Sequence, residues 1–235
     1  MVDETTHDHR RIWIYGGLWA GVQFGDAFAE MGMSLPAYIL LLTGVALARL
    51  VEIQISRRNQ RLLAAKGIAK VPEPHFRWMV LFHIGILVSA ALEVVLLHRP
   101  LIPLLALVMG LLFVLSNGLR WWVIRVMSEH WNIRVMASTQ LGVVVDGPFR
   151  WIRHPNYFAV FVELIALPLI HTAWFTALLG AGTHCWILSG RLRLEESTLL
   201  ADPNYLAAMG SKPRFLPRLF RTTTKSPRGG LRPNA

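Results

Sequence analysis

Cysteine is nearly absent from this 235-residue chain, in which Cys185 stands alone. A single cysteine cannot form a disulfide within the chain, so a small secreted scaffold held by disulfides is excluded. A cluster of thiolate metal ligands within one chain is excluded for the same reason. We therefore predict no metal site from the cysteine content.

Charged residues are also scarce. They make up 16% of the chain, against roughly 25% in an average globular domain, while hydrophobic residues make up 54%. The small charged set is strongly basic, because 24 Lys and Arg against 14 Asp and Glu give a formal net charge of +10. An apolar and basic chain is typical of either a nucleic-acid binder or a membrane protein with basic faces.

Long apolar runs favour the membrane. Three of them, Leu35 to Leu50, Trp78 to Leu97 and Leu101 to Ile124, approach the roughly 20 residues that a helix needs to cross a bilayer. A fourth, Tyr157 to Leu188, is too long for one crossing and is broken near Pro168 to Thr172, which indicates a helical hairpin. The predicted fold is an all-α polytopic membrane bundle of five or six transmembrane segments.

The segment from Ile12 to Ala29 is a weaker candidate span. Gly17, Gly21 and Gly25 share one helix face, where a second helix or a second copy of the chain can approach closely. A cleaved signal peptide is the alternative, but the acidic residues that precede the segment do not form a positive n-region. We predict a retained membrane helix, and with it a homo-oligomer contact through the glycine face.

The basic residues fall into three groups at the borders of the apolar runs. By the positive-inside rule all three face the cytoplasm, and six crossings then place both termini there. This pattern argues against nucleic acid as a partner, because no basic recognition helix or zinc spacing accompanies it. The groups hold 20 of the 24 basic residues: Arg57, Arg58, Arg61, Lys66, Lys70 and Arg77; Arg120, Arg125, Arg134, Arg150 and Arg153; Arg191, Arg193, Lys212, Arg214, Arg218, Arg221, Lys225, Arg228 and Arg232.

Two polar motifs lie on this cytoplasmic side. The first ends in Arg153-His154-Pro155-Asn156-Tyr157, where Pro155 suits the first turn of a helix whose N-terminus attracts anionic groups. The second contains Arg191, Glu195 and Glu196. Arg191 and Glu195 stand at i, i+4 and could simply pair along one helix face. Alternatively, the adjacent carboxylates bind an ammonium group or a ribose diol.

Several polar residues lie within the spans themselves. Glu93, Asn117 and Glu163 are expected to face the bundle interior or a cavity, because ionisable groups at membrane depth are costly. Glu93 lies near the outer interface, where a structural role fits. Three histidines are predicted to be hydrogen-bonded spacers and not metal ligands, since no two are at i, i+4: His83, His171 and His184.

Together the motifs resemble the isoprenylcysteine carboxyl methyltransferase family. The resemblance rests on Gly147-Pro-Phe-Arg-Trp-Ile-Arg-His-Pro-Asn-Tyr157, a hairpin, and Arg191-x-x-x-Glu195-Glu196-x-x-Leu199, and it covers roughly residues 110–220. It implies an integral membrane enzyme that transfers a methyl group from S-adenosylmethionine to a lipophilic acceptor entering from the bilayer. It also implies that the helical bundle has a cytoplasmic cofactor pocket. It further implies a division into N-terminal membrane helices (1–109), a catalytic region (110–220) and a flexible basic tail (221–235).

The resemblance also implies roles for individual residues. The cofactor-binding candidates are Arg153, His154, Pro155, Tyr157, Glu195, Glu196 and Tyr205. The catalytic candidates are Glu163, Arg191 and Glu195, with Glu163 or His154 as a base for a phenol or enol acceptor. The chain departs from the family pattern after Leu199, so Tyr205 is the least certain of these assignments.

The acceptor is left open between a prenylcysteine-type carboxylate and an alkylpyrone or alkylresorcinol hydroxyl, since the chain looks most similar to a bacterial subgroup that methylates the latter. The expected location of the protein is the bacterial inner membrane. Sterol-type NADPH reductases share the Arg-His-Pro-Asn-Tyr element but typically lack the Glu-Glu element. Phospholipid N-methyltransferases share the general arrangement of the motifs, and a transporter or scaffold without enzymatic activity would need only the same spans.

Overall fold

The computed structural model describes the backbone of residues 9–68, 70–73, 76–136 and 142–217, and the side chains from Ser34 onward. Two short 3₁₀ turns and an isolated bridge between Lys70 and Met136 connect the helices of the described backbone. The helices are α1 (His9–Ala65), α2 (Phe76–Leu96), α3 (Pro103–Met127), α4 (Pro155–Leu169), α5 (Trp174–Leu199) and α6 (Pro203–Met209). The prediction of an all-α fold is confirmed.

Three of the described helices are long and apolar enough to cross a membrane. They are Ser34–Ala65, Phe76–Leu96 and Pro103–His130, with mean hydropathies of 1.8, 2.3 and 1.7. Pro155–Leu169 is a shorter apolar helix. Large apolar side chains such as Leu104, Leu179 and Trp186 are more than two-thirds exposed, as expected for residues that face lipid. The prediction of a polytopic membrane bundle is confirmed.

The N-terminal region differs from the sequence prediction. Ile12 to Ala29 and Leu35 to Leu50 were expected to form separate crossings, but both lie in α1, a single helix of 57 residues. Such a helix is about 85 Å long, so the first apolar segment continues into the second and does not form a separate crossing. The side chains of Gly17, Gly21 and Gly25, and the basic tail, lie outside the described residues.

The predicted hairpin is present, and Glu93 holds its turn. α4 ends at Leu169 and α5 begins at Trp174. The Glu93 carboxylate accepts hydrogen bonds from the backbone N–H groups of Phe175 (3.1 Å) and Thr176 (2.7 Å), which are free donors in the first turn of α5. Arg99 pairs with the same carboxylate at 2.8 Å. The structural role predicted for Glu93 is therefore the role of a helix cap.

Two apolar clusters fix the ends of the bundle. The first packs α1, α2 and α4 together beside the hairpin turn, through residues such as Tyr38, Ala90 and Leu167. The second lies at the end of the bundle that carries Arg153 and Arg191, which we call the basic end. There Val123 of α3 packs with Phe149 and with Met209 of α6. The second cluster holds the loop after α3 and the C-terminal segment against each other, and both motifs emerge beside it.

Candidate functional site

The two motifs identified in the sequence meet at the basic end of the bundle. His154 precedes Pro155 at the start of α4, and Glu196 lies near the end of α5. The segment after α6 closes over them, since the backbone N–H groups of Arg153 and His154 donate to the carbonyl oxygens of Pro213 and Arg214, each at 2.9 Å. Residues far apart in the chain are thus joined by main-chain hydrogen bonds.

Glu196 is the centre of a buried ionic cluster. Its Oε1 lies 3.1 Å from His154 Nε2 and 3.3 Å from Arg153 Nη1. Its Oε2 accepts a hydrogen bond of 2.6 Å from Arg214 Nη2. The Glu196 side chain is 8% exposed and that of Arg214 is 55% exposed, so the carboxylate is buried beneath the arginine. The anionic group beside the start of α4 is therefore the protein's own carboxylate, which pairs with the side chains of Arg153 and His154.

Arg191 and Glu195 are linked through Tyr157. Arg191 Nε donates to the Tyr157 hydroxyl at 2.8 Å, and that hydroxyl donates to the Glu195 carboxylate. The simple i, i+4 pairing of Arg191 with Glu195 does not describe the site, because the ion pair of Arg191 is with Glu73 at 3.2 Å. Glu73 enters from the connection between α1 and α2, and no motif in the sequence pointed to it.

Three of the predicted cofactor residues, His154, Tyr157 and Tyr205, line a cavity beside this cluster. The His154 and Tyr157 rings stack with centroids 5.5 Å apart. Tyr205 lines the cavity beside them. Burial, together with the negative charge of Glu195, raises the pKa of Tyr205 to about 12, so its hydroxyl is protonated at neutral pH. The structure thus brings all the predicted cofactor residues into one place.

A cavity of about 1080 Å³ connects this cluster to the membrane interior. At the basic end it is lined by Arg153, His154, Tyr157 and Glu195. Toward the membrane it is lined by apolar residues of α1 and α2, namely Ala46, Leu50, Ile53, Val80, Ile84 and Leu87. A site of this size and mixed lining is suited to a polar cofactor and a lipophilic ligand held together.

Glu163 lies apart from the charged cluster around Tyr157 and Glu196. Its two carboxylate oxygens accept hydrogen bonds from Arg49 Nη2 at 2.6 and 2.7 Å, and the same nitrogen lies 3.5 Å from Asn117 Oδ1. Arg49 also pairs with Glu52, which in turn holds Arg120 through bonds of 2.8 and 2.5 Å. Arg49, Glu52 and Arg120 line the cavity, whereas Glu163 is buried behind Arg49.

Sequence reasoning missed most of this ion-pair chain. Arg120 was assigned to the basic border as a determinant of orientation, but it is buried within the bundle and paired with Glu52. Glu52 was not singled out at all. The signal in the sequence was the presence of Arg49 and Glu52 three residues apart at the end of an apolar run, since charges at that depth require partners.

The residues present fit S-adenosylmethionine. Two buried polar atoms beside the cluster, Arg153 Nε and Asn156 Oδ1, have no hydrogen-bond partner among the described residues. A guanidinium donor suits the cofactor's carboxylate, and an amide oxygen suits its ammonium group. The Glu195 carboxylate offers a further acceptor for the ammonium group or the ribose hydroxyls.

The fold and site define a polytopic helical membrane protein with a charged cleft at its basic end. Residues 107–201 match the model of the isoprenylcysteine carboxyl methyltransferase (ICMT) family. The match contains both motifs and the hairpin, so the resemblance drawn from the sequence is confirmed. Together with the apolar helices, it supports an integral membrane methyltransferase.

Two bacterial proteins are similar in sequence to this chain. Uncharacterized protein YpbQ of Bacillus subtilis (strain 168) is 26% identical over 164 residues, which cover 68% of this chain and 95% of that protein. An uncharacterized protein of Haemophilus influenzae (strain ATCC 51907 / DSM 11121 / KW20 / Rd) is 26% identical over 152 residues, covering 64% of this chain and 88% of that protein.

A solved structure is also similar. The eukaryotic intramembrane Ras methyltransferase ICMT, determined without a monobody, is 21% identical and gives a TM-score of 0.47. The match covers 57% of this chain and 50% of that one, so this chain spans half the length of the solved methyltransferase.

Proposed function

We propose that this chain is an S-adenosylmethionine-dependent O-methyltransferase of the bacterial inner membrane whose site faces the cytoplasm. Its acceptor is a lipophilic molecule that carries a prenylcysteine-type carboxylate or an alkylpyrone or alkylresorcinol hydroxyl. One observation carries the proposal: a single cavity joins the charged cluster around Tyr157 to apolar residues at membrane depth. The basic residues at the same end of the bundle support the cytoplasmic orientation.

The charged cluster would hold the cofactor. S-adenosylmethionine supplies an electrophilic methyl group when it is bound. Arg153 would bind its carboxylate, and Glu195 its ammonium group or ribose. The stacked rings of His154 and Tyr157 would lie against its uncharged surface. Arg214 and the backbone bonds of Pro213 would keep the C-terminal segment closed over the pocket and exclude water.

The membrane-facing part of the cavity would hold the acceptor. Methyl transfer requires an oxygen aligned with the methyl group, so positioning is the main contribution of the protein. Arg49 and Arg120 line this part and favour a negatively charged oxygen. Because Glu163 reaches the cavity only through Arg49, we propose that it positions this arginine. Both of its oxygens accept hydrogen bonds from Arg49, which supports this positioning role.

The proposal is tested by cofactor binding. Isothermal titration calorimetry on the detergent-solubilised protein is expected to show binding of S-adenosylmethionine and none of NADPH. Glu195→Gln is expected to weaken this binding. Glu129→Gln is the matched control, because Glu129 lies toward the same end of the bundle but is half exposed and pairs with Lys66 outside the cavity.

Two results would argue against the proposal. Binding of NADPH alone would indicate a reductase of the sterol-reductase type. Methyl transfer to phosphatidylethanolamine vesicles, with none to an alkylresorcinol, an alkylpyrone or a prenylcysteine, would indicate a phospholipid N-methyltransferase. Assays with these acceptors therefore follow the binding measurement.

A further inference from the structure

His184 is a buried histidine whose ring nitrogens accept and donate no hydrogen bond within the described part of the chain. It is 5% exposed, and neither Nδ1 nor Nε2 has a hydrogen-bond partner among the described residues. The sequence-based prediction of a hydrogen-bonded spacer is therefore wrong for His184, although it holds for His83 and His171. A buried polar group that lacks partners is costly. Because His184 lines the cavity, a bound ligand is the group that can satisfy it.

His83 stands beside it and completes a pair. The two imidazole rings meet edge to face with centroids 5.9 Å apart, and both line the cavity. His83 Nδ1 lies 2.7 Å from the carbonyl oxygen of Met79, which can only accept, so the proton of a neutral His83 is on Nδ1. Nε2 of His83 is therefore a hydrogen-bond acceptor. The pair presents acceptor nitrogens on both rings and one donor on His184.

The pair lies deeper in the membrane than the proposed cofactor cluster. Arg191 Nη1 reaches Met79 Sδ at 3.1 Å, which sets the depth of the cluster on α2. His83 is one helical turn beyond Met79, and His184 is two turns before Arg191 on α5. The apolar lining residues Ile84 and Leu87 follow His83 along α2. A ligand at the histidine pair is thus adjacent to the cofactor site and continuous with the lipid-facing space.

We propose that His83 and His184 bind the polar head of the acceptor, and that this head carries a hydroxyl group. The inference rests on the proposed function, since it names the acceptor class of the same cavity. A hydroxyl donates one hydrogen bond and also accepts, so it can satisfy one acceptor nitrogen of the pair and the donor of His184. An ionised carboxylate only accepts, and it would leave the acceptor nitrogens unsatisfied. The acceptor is therefore an amphiphile with a hydroxylated head and an apolar chain.

A pair of matched probes tests this inference. 5-Pentadecylresorcinol and 1,3-dimethoxy-5-pentadecylbenzene have the same ring and chain, but the second has no O–H donor. Binding of each to the detergent-solubilised protein is measured for wild type, His184→Leu and His184→Gln. The wild type is expected to bind the resorcinol about tenfold more tightly, as the loss of one hydrogen bond predicts. His184→Leu is expected to abolish the difference, and His184→Gln, which keeps a donor and an acceptor, to retain part of it.

Trp186→Leu is the control variant. Trp186 lies on the same helix but is 78% exposed toward lipid, so the change is expected to leave the discrimination intact. Equal binding of both probes by the wild type would overturn the inference, as would full discrimination by His184→Leu. A preference of the wild type for N-acetyl-S-farnesylcysteine over the resorcinol would also overturn it. S-adenosylmethionine binding is measured in parallel, and its absence in the wild type would reject the proposed function itself.

Discussion

The Tyr157 hydroxyl bridges Arg191 and Glu195, the two charged residues that begin the second sequence motif. The tyrosine comes from the first motif, at the start of α4. This hydroxyl therefore couples the two motifs directly. It also explains why Arg191 is free to pair with Glu73 rather than with Glu195.

Removal of this hydroxyl tests the coupling. Tyr157→Phe is expected to weaken S-adenosylmethionine binding by about tenfold, because Arg191 and Glu195 each lose a buried hydrogen bond. The dissociation constant is measured by isothermal titration calorimetry. Tyr38→Phe is the matched control, since the Tyr38 hydroxyl donates to the Leu167 carbonyl within the apolar core. Unchanged cofactor affinity in Tyr157→Phe would contradict the role of the bridge.

The ion pairs of Glu196 lead to a prediction about stability. Glu196→Ala leaves the buried Arg153 without its carboxylate, and a loss of about 3 kcal/mol is expected from removing one partner of a buried pair. Arg214→Ala removes a half-exposed partner, so a loss below about 1 kcal/mol is expected. Thermal unfolding in detergent measures both. Equal losses would show that the burial of Glu196 does not determine its contribution.

Glu163 is expected to act through Arg49. Glu163→Gln should lower the stability by about 1–3 kcal/mol, because a charged hydrogen-bond pair becomes a neutral one. It should also lower turnover while leaving S-adenosylmethionine affinity unchanged, since Glu163 lies outside the cofactor cluster. Thermal unfolding, calorimetry and a methyl-transfer assay measure the three effects. Full turnover on an alkylresorcinol would rule out both a base role and a positioning role.

A double-mutant cycle isolates the same pair. Arg49→Met, Glu163→Gln and the combined variant are compared by their free energies of unfolding. The two losses are expected to be non-additive, with a coupling of about 0.5–3 kcal/mol. Additive losses would show that the contact between Arg49 and Glu163 does not contribute to stability.

Two glycines that approach neighbouring side chains are expected to differ in how much stability is lost when each is replaced by alanine. Gly147 has a φ of +57° and a Cβ there would lie 2.8 Å from Val126 Cγ2, so Gly147→Ala should cost about 1–2 kcal/mol. A Cβ on Gly180 would meet the terminal Cδ1 of Ile86 at 2.6 Å, but this flexible end can move. Gly180→Ala should therefore cost less than Gly147→Ala in thermal unfolding. The reverse order would contradict this.

The charged cluster around Tyr157 and Glu196 was predictable because its residues belong to two short motifs. Each motif groups its polar residues within a few positions, and the hairpin between them brings the motifs together. The ion-pair chain was not predictable in this way, because Arg49, Arg120 and Glu163 come from three helices and no short motif joins them. The prediction of a separate first crossing was wrong for another reason. A polar interval such as that after Ala29 does not end a helix when its residues remain compatible with helical backbone.

The main-chain bonds of Pro213 and Arg214 have a consequence for biosynthesis. These residues follow α6, yet their carbonyl oxygens are bonded to the backbone of Arg153 and His154, two residues that line the cavity. The bonds therefore form only after all the described helices have been synthesised. A chain arrested after α5 would contain both sequence motifs but would lack the segment that holds the first of them.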